Sequence, residues 1–194
     1  MVEIILASQS KVRKEILDKN GIINRVVSSN VDEDPIKKSL LLERATPEVI
    51  SKNLAEIKAN KVSQIYEDSL VLGADSVIDL DGEIISKPEN REEAMNILKK
   101  LNGKKHSLIS SVCISKNGSM IWNYTDKASL KMKNLSTNNL KEYLNKISDQ
   151  ALYAYNVYQI EGEGRKLFSE IEGDEDTIMG LPIIKIKSYL ENYK

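Results

Sequence analysis

The chain has 194 residues, enough for one domain or for two small lobes around a shared cleft. Its formal net charge of −1 provides no overall positive field for a polyanion, so we expect no nucleic-acid partner, although a local site could still hold a small charged ligand. No apolar stretch approaches the roughly 18 residues of a membrane span. The single cysteine, Cys113, indicates a reducing compartment, and we expect a cytoplasmic protein without membrane association.

The apolar pattern predicts strands and helices in a mixed α/β sheet. Predicted strands cover residues 3–7, 23–28, 69–73, 77–80, 83–85, 107–115, 120–132, 153–160 and 166–172, and predicted helices cover residues 11–20, 36–44, 47–66, 91–101, 136–147 and 181–193. The pairs Asp81-Gly82 and Asn117-Gly118 favour hairpins. Residues 30–35 read as an acidic loop.

The first strand-to-helix turn carries hydroxyl and cationic side chains. Ser8 and Ser10 precede the predicted helix, and Lys11 and Arg13 lie in its first turn. Unpaired backbone N–H groups and the helix dipole favour an anion at such a position, and the Arg13 fork suits phosphate oxygens. Taken alone, the same residues more often indicate only a capping serine beside solvated cations.

Asp75 follows an apolar strand directly, where α/β sheets often place functional groups. The small neighbours Gly73 and Ala74 would let a ligand approach closely. A turn-forming aspartate is the alternative interpretation.

Three consecutive acids, Asp32 to Asp34, provide the hard oxygen ligands that suit magnesium or manganese, although acidic runs are usually just solvated. Lys87 follows the first hairpin. Together these segments supply an anion cradle, carboxylates for a metal and a base, and a lysine.

The order of the short motifs resembles that of the Maf family of nucleoside triphosphate pyrophosphatases, almost from end to end. The matching segments are Leu6-Ala7-Ser8-Gln9-Ser10 with Arg13, Asp32-Glu33, Leu72-Gly73-Ala74-Asp75, Gly82 through Lys87-Pro88, Glu93-Ala94 with Leu98, Leu101-Asn102-Gly103 with His106, Tyr158 with Glu161-Gly162, and Ile171-Glu172-Gly173 leading to Gly180-Leu181-Pro182. Each motif is weak alone, but eight in order are specific.

The resemblance implies one domain over residues 1–194, with an elongated α/β fold like that of inosine triphosphate pyrophosphatases and two lobes around a cleft. It implies a hydrolase that converts nucleoside triphosphates to monophosphates and pyrophosphate. It further implies a divalent cation (Mg²⁺, Mn²⁺ or Co²⁺), a homodimer, and roles in nucleotide-pool sanitation and cell division arrest.

Position by position, the resemblance also assigns roles to residues of this chain. Asp75 matches the family's proton acceptor, Ser8, Ser10 and Arg13 match its phosphate-binding turn, and substrate-specificity roles fall on Val12, Ser76 and Glu161. Glu33 and Lys87 match other polar residues of its cleft, and we expect Glu33 to hold the metal with Asp75 and Lys87 to bind phosphate.

The segment Ser10-Lys11-Val12-Arg13 and the pairs Asp75-Ser76 and Glu161-Gly162 depart from the thymidine/uridine triphosphate branch, and Val12 departs from the 7-methylguanosine branch. The chain is therefore closer to the general branch. Residues 153–157 depart from the glycines of many relatives. Two alternatives stay open, a non-catalytic nucleotide-binding regulator of cell division and a phosphatase that releases orthophosphate.

Overall fold

The computed structural model describes residues 3–193, except for the side chains of residues 153–155. Within this range a seven-stranded mixed sheet has the order β2-β1-β3-β5-β6-β7, with β4 paired to β3. The strands are β1 (Ile4–Leu6), β2 (Asn24–Val26), β3 (Leu70–Leu80), β4 (Glu83–Ile85), β5 (Lys105–Lys116), β6 (Ser119–Met132) and β7 (Phe168–Glu172). Strand β1 runs parallel to β2 and β3, and all other pairs are antiparallel. The predicted mixed α/β sheet is confirmed.

The helices are α1 (Lys11–Lys19), α2 (Glu33–Leu42), α3 (Pro47–Ser63), α4 (Arg91–Leu101), α5 (Thr137–Lys146), α6 (Asp149–Tyr155), α7 (Glu175–Ile178) and α8 (Ile183–Asn192). Side-chain caps fix several helix starts as predicted. The Thr46 hydroxyl accepts from the Val49 N–H at 3.3 Å, and Asn90 accepts from the Glu93 N–H at 2.9 Å. None of the helices in the described range is long and apolar enough to cross a bilayer.

The two faces of the central sheet are covered differently. Helix α3 covers one face, where Ala55 and Val62 pack with Val71 and Cys113. Because side chains alternate along a strand, the even-numbered residues of β3 lie on the opposite face. Two separate apolar clusters cover that face, one with α1 and α8 and the other with α4 and α5. The polar side chain of Ser76 lies between them, since Ala74 belongs to the first cluster and Ile78 to the second.

Two local predictions near the acids are wrong. Leu70–Leu80 form one continuous strand, because β5 pairs across the supposed turn with Asp75 opposite Ser111. Residues 30–35 are not a loop throughout, since α2 begins at Glu33. Pro35 lies in the first turn of α2, where its missing N–H removes no helical hydrogen bond.

The predicted strand over residues 153–160 is also wrong. Helix α6 covers Asp149–Tyr155 and is capped by Ser148, whose hydroxyl accepts from the Ala151 N–H at 3.3 Å. The periodicity of a short apolar run is the same for a buried strand and a buried helix, so it does not separate the two. The Ser148 cap favours the helix here. The side chains of residues 153–155, on which the departure from glycine-rich relatives partly rests, lie outside the described part of the chain.

Candidate active site

One cavity of about 890 Å³ opens between α1, α2, α3, the middle of β3 and the segment after α6. All of the residues selected from the sequence line it, namely Ser8, Ser10, Val12, Arg13, Glu33, Asp75, Ser76, Lys87 and Glu161. Ser10 and Asp75 therefore share one concavity, which is the arrangement that a triphosphate site requires. The roles of the individual residues stay predictions.

The amino end of α1 borders this cavity. The Ser10 hydroxyl caps the helix by accepting from the Arg13 N–H at 3.4 Å, and the Ser8 hydroxyl accepts from the Ser10 N–H at 3.3 Å. The first N–H groups of a helix, here those of Lys11 and Val12, have no intrahelical acceptor. These donors and the helix dipole make the end of the cavity near α1 favourable for an anion.

The Arg13 guanidinium is held by four neutral oxygens. Its donors reach the Ser8 hydroxyl at 3.3 Å, the Ala74 carbonyl at 3.0 Å, the Ser76 hydroxyl at 3.1 Å and the Gly180 carbonyl at 3.0 Å. Four of its five N–H groups are thus occupied, and one on Nη2 remains. Burial lowers the pKa of Arg13, and the nearby carboxylates of Asp75 and Glu33 oppose that shift, so the group stays charged.

Lys58, which the sequence reasoning missed, lies between the two predicted metal ligands. Its ammonium is 2.8 Å from Asp75 Oδ1 and 2.8 Å from Glu33 Oε1, and its side chain is only 9% exposed. Lys37 contacts the other Glu33 oxygen at 3.1 Å. Burial alone would raise the pKa of Glu33, but Lys58 and Lys37 outweigh it and hold that pKa below its ordinary value.

Close packing of α3 on β3 places Lys58 beside Asp75. A Cβ added to Gly73 would lie 2.2 Å from the Ala55 carbonyl oxygen and 2.9 Å from the Ala59 Cβ. The space at Gly73 is therefore filled by α3, and the expectation that it admits a ligand is wrong. One signal was available in the sequence, because Lys58 interrupts the apolar stripe of α3 formed by Leu54, Ala55, Ala59 and Val62.

The carboxylates provide a limited fit for a divalent cation. Asp75 Oδ2 is buried and has no hydrogen-bond partner in the described structure. Within residues 3–193, no group of three or more histidine, cysteine or acidic side chains is arranged to hold a metal. Magnesium commonly keeps several waters and binds through one or two carboxylates plus substrate phosphates. The two carboxylates of Asp75 and Glu33 match the donor set of an ion of that kind.

Positive charge prevails along the cavity wall. Five cationic side chains, Lys11, Arg13, Lys37, Lys58 and Lys87, line it together with three carboxylates, Glu33, Asp75 and Glu161. Lys87 reaches solvent, yet desolvation by the surrounding protein, followed by the charge of Arg13, lowers its pKa. The balance favours a polyanion over a neutral ligand.

The remaining wall is apolar with an amide rim. Ile85, Leu108, Tyr158 and Ile178 are buried along it, and Gln150, Asn156 and Gln159 add amide groups. The hydroxyl of Tyr158 bonds the Nε2 of His106 at 2.9 Å, and its ring packs edge-on against Phe168. An apolar surface with a few polar groups suits a flat heterocycle.

Asn156 holds a strained backbone beside this wall. Its φ of 69° and ψ of −161° fall in a region that is essentially restricted to glycine. Its side chain accepts from the Val157 N–H at 2.8 Å and donates to the Ile85 carbonyl at 3.4 Å. Such a conformation costs about 1–3 kcal/mol and is retained where the surroundings impose it.

Comparison with known proteins identifies relatives of this chain. A family model described as "Maf-like protein" matches residues 3–193. A protein of Pelagibacter ubique (strain HTCC1062) named nucleoside triphosphate pyrophosphatase is 70% identical over 192 residues, covering 99% of this chain and 98% of that protein. A protein of Brucella abortus named 7-methyl-GTP pyrophosphatase is 35% identical, covering 100% and 97%.

A solved structure from Mycobacterium abscessus, titled as a nucleoside-triphosphatase or dITP/XTP pyrophosphatase, overlaps this chain with a TM-score of 0.45. The two share 12% identity, and the overlap covers 98% of this chain and 94% of that one.

Proposed function

Because the chain belongs to the Maf-like family, we propose that it hydrolyses nucleoside triphosphates to nucleoside monophosphates and pyrophosphate. Relatives named nucleoside triphosphate pyrophosphatase and 7-methyl-GTP pyrophosphatase align over nearly their whole length, which supports a hydrolase acting on nucleoside triphosphates. The observation that carries the proposal is the convergence of Asp75, Lys58, Arg13 and the amino end of α1 on one cavity.

Asp75 is the group that would orient and deprotonate the attacking water. Lys58 fixes Oδ1 at 2.8 Å, while Oδ2 is buried and has no hydrogen-bond partner in the described structure. An unpaired carboxylate oxygen beside a polyanion site can accept a proton from water, which is the task of a general base. Glu33 shares the Lys58 ammonium and limits the movement of that side chain.

Phosphate oxygens would be held by Arg13, Lys87, the hydroxyls of Ser8 and Ser10, and the turn amides. The charge of Arg13 is not neutralised by any of its four hydrogen-bond acceptors, so it remains available to an anion. Water then attacks the α-phosphorus in line, and pyrophosphate leaves from the opposite side. Positioning and electrostatic stabilisation provide most of the catalysis in such a transfer.

A divalent cation (Mg²⁺, Mn²⁺ or Co²⁺) held by Asp75 and Glu33 would neutralise charge on the phosphate oxygens. At the other end of the substrate, the apolar wall would take the base. We assign substrate specificity to Val12, Ser76 and Glu161, all of which line the cavity.

The experiment is a panel of canonical and modified triphosphates, each assayed with magnesium, manganese and cobalt, in which the released phosphate species is identified. Pyrophosphate with monophosphate supports the proposal. Orthophosphate would instead assign a phosphatase. Triphosphate binding by calorimetry without release of either species would assign a non-catalytic regulator. Roles in pool sanitation and division arrest, and a homodimeric state, remain predictions.

A further inference from the structure

A chain of hydrogen-bonded hydroxyl groups extends from Arg13 across strands β3, β5 and β6 on one face of the sheet. Arg13 Nη2 donates to the Ser76 hydroxyl at 3.1 Å, and the Ser76 and Ser110 oxygens are 2.8 Å apart. The Ser110 hydroxyl donates to the Thr177 carbonyl at 2.7 Å, and the Thr177 hydroxyl donates to Asp126 at 2.7 Å. Ser110 and Thr177 are fully buried, and neither lines the cavity.

The direction of these bonds is fixed. A carbonyl oxygen can only accept, so the one proton of the Ser110 hydroxyl points to Thr177. Ser110 must then accept from Ser76, which leaves Ser76 without a proton to direct elsewhere. Ser76 consequently presents only lone pairs to Arg13, which is the arrangement that a guanidinium N–H requires.

Ser110 also controls a second support of Arg13. The Thr177 carbonyl that it contacts lies at the end of α7, and the Gly180 N–H donates to the same carbonyl at 3.0 Å. The Gly180 carbonyl accepts from Arg13 Nε at 3.0 Å. A Cβ on Gly180 would lie 3.0 Å from the Ser76 oxygen and 3.3 Å from the guanidinium, so the two supports pack tightly around Arg13.

We infer that Ser110 is a positioning residue for Arg13: through Ser76 on one side and the Thr177–Gly180 turn on the other, it fixes the plane of the guanidinium at the phosphate end of the cavity. This inference rests on the proposed function for its kinetic consequence. Removing the Ser110 hydroxyl leaves the Ser76 proton without its acceptor and the Thr177 carbonyl without one of its two donors, so the guanidinium loses its fixed orientation.

The chain offers a matched control in Ser111. Ser110 and Ser111 are neighbours on β5, both fully buried, and each makes a hydroxyl hydrogen bond. Ser111 pairs with Thr125 at 2.9 Å on the other face, and neither residue lines the cavity. Ser110→Ala and Ser111→Ala should therefore lose similar stability, and a purely structural role would give them similar kinetics.

The kinetic test is a double-mutant cycle measured by pyrophosphate release. Ser110→Ala should lower kcat/KM about 10-fold, with recovery in Ser110→Thr, whereas Ser111→Ala should change it less than about 2-fold. In an Arg13→Lys background, Ser110→Ala should cost less than about 2-fold further. An equal cost of Ser110→Ala in both backgrounds, or equal losses for the two alanine variants, would overturn the inference.

A second measurement does not depend on turnover. The Nε–H resonance of Arg13, observed by NMR in the free protein, should shift and exchange faster with water in Ser110→Ala, and should be unchanged in Ser111→Ala. An unchanged resonance in both variants would refute the positioning role. Failure of the proposed function is a separate outcome, seen as no pyrophosphate release by the unmodified protein even where the resonance responds.

Discussion

The buried Lys58 and the half-buried Arg13 approach the same cavity from opposite faces of β3, and their surroundings differ. Lys58 lies between two carboxylate oxygens, each at 2.8 Å, so its charge is more than compensated. Arg13 is held by two hydroxyls and two carbonyls, all of them neutral. The difference indicates separate tasks: Lys58 holds the carboxylates of Asp75 and Glu33 side by side, and Arg13 retains its charge for an incoming anion.

Among the variants near Lys58, the largest loss of turnover is expected for Asp75→Asn. Loss of a general base typically lowers a rate by about 10²–10⁴-fold, so turnover should fall by that order while the fold is retained. Initial rates of pyrophosphate release with circular dichroism measure both effects. Asp79→Asn is the control, because Asp79 lies on the same strand outside the cavity and accepts from the Gly82 N–H. Activity of Asp75→Asn equal to that of Asp79→Asn would refute the assignment.

Lys58→Met removes the cation and leaves both acids. The pKa of Glu33 should then rise, because burial persists while the main compensating charge is gone. We expect roughly 10²-fold lower kcat and an acid limb of the pH–rate profile that moves to higher pH. Lys52→Met, on the exposed side of α3, is the comparison variant, and an acid limb that stays in place in Lys58→Met would remove Lys58 from the site.

His106 lies on the same face of the central sheet as Arg13. The pH dependence of stability tests how strongly burial on this face disfavours a charged imidazole. Burial lowers the pKa of His106 to about 4, so the unfolded chain binds a proton that the folded chain does not between about pH 6.5 and 4. Stability should therefore fall by about 2 kcal/mol from pH 7.5 to 5, and it should be recovered as pH rises through this window.

Urea unfolding at the two pH values measures this difference. The chain has one histidine, so His106→Gln should remove most of the dependence between pH 6.5 and 5. A variant whose stability falls as steeply as that of the unmodified protein would show that other groups cause the effect.

The smallest of these effects is expected for Arg13→Lys. A lysine keeps the charge but cannot reach four oxygens in one plane, so kcat/KM should fall by about 10-fold, mainly through KM. Arg25→Lys provides the matched exchange, since Arg25 stacks over Tyr66 and does not line the cavity. Equal kinetics for the two variants would mean that the planar fork of Arg13 has no special role.

Sequence patterns predicted the features that depend on neighbouring residues. The Asp81-Gly82 and Asn117-Gly118 turns, the helix caps and the first strand-to-helix turn all follow from local preferences, and the structure has each of them. Lys58 was missed because its role depends on the approach of α3 to β3 at Gly73, a contact between distant segments. The hydroxyl acceptors of Arg13 depend likewise on strand register, which pairs Ser76 with Ser110.

The glycine-like backbone of Asn156 has a practical consequence for altering the choice of base. Neither Lys58 nor Arg13 makes a hydrogen bond with Asn156. A substitution at Asn156 can therefore change the shape of the apolar wall while the phosphate end of the cavity keeps its geometry. An Asn156→Gly exchange would release local strain and loosen that wall at once. Engineering of nucleotide preference in this scaffold therefore has a natural starting position away from the reacting phosphates.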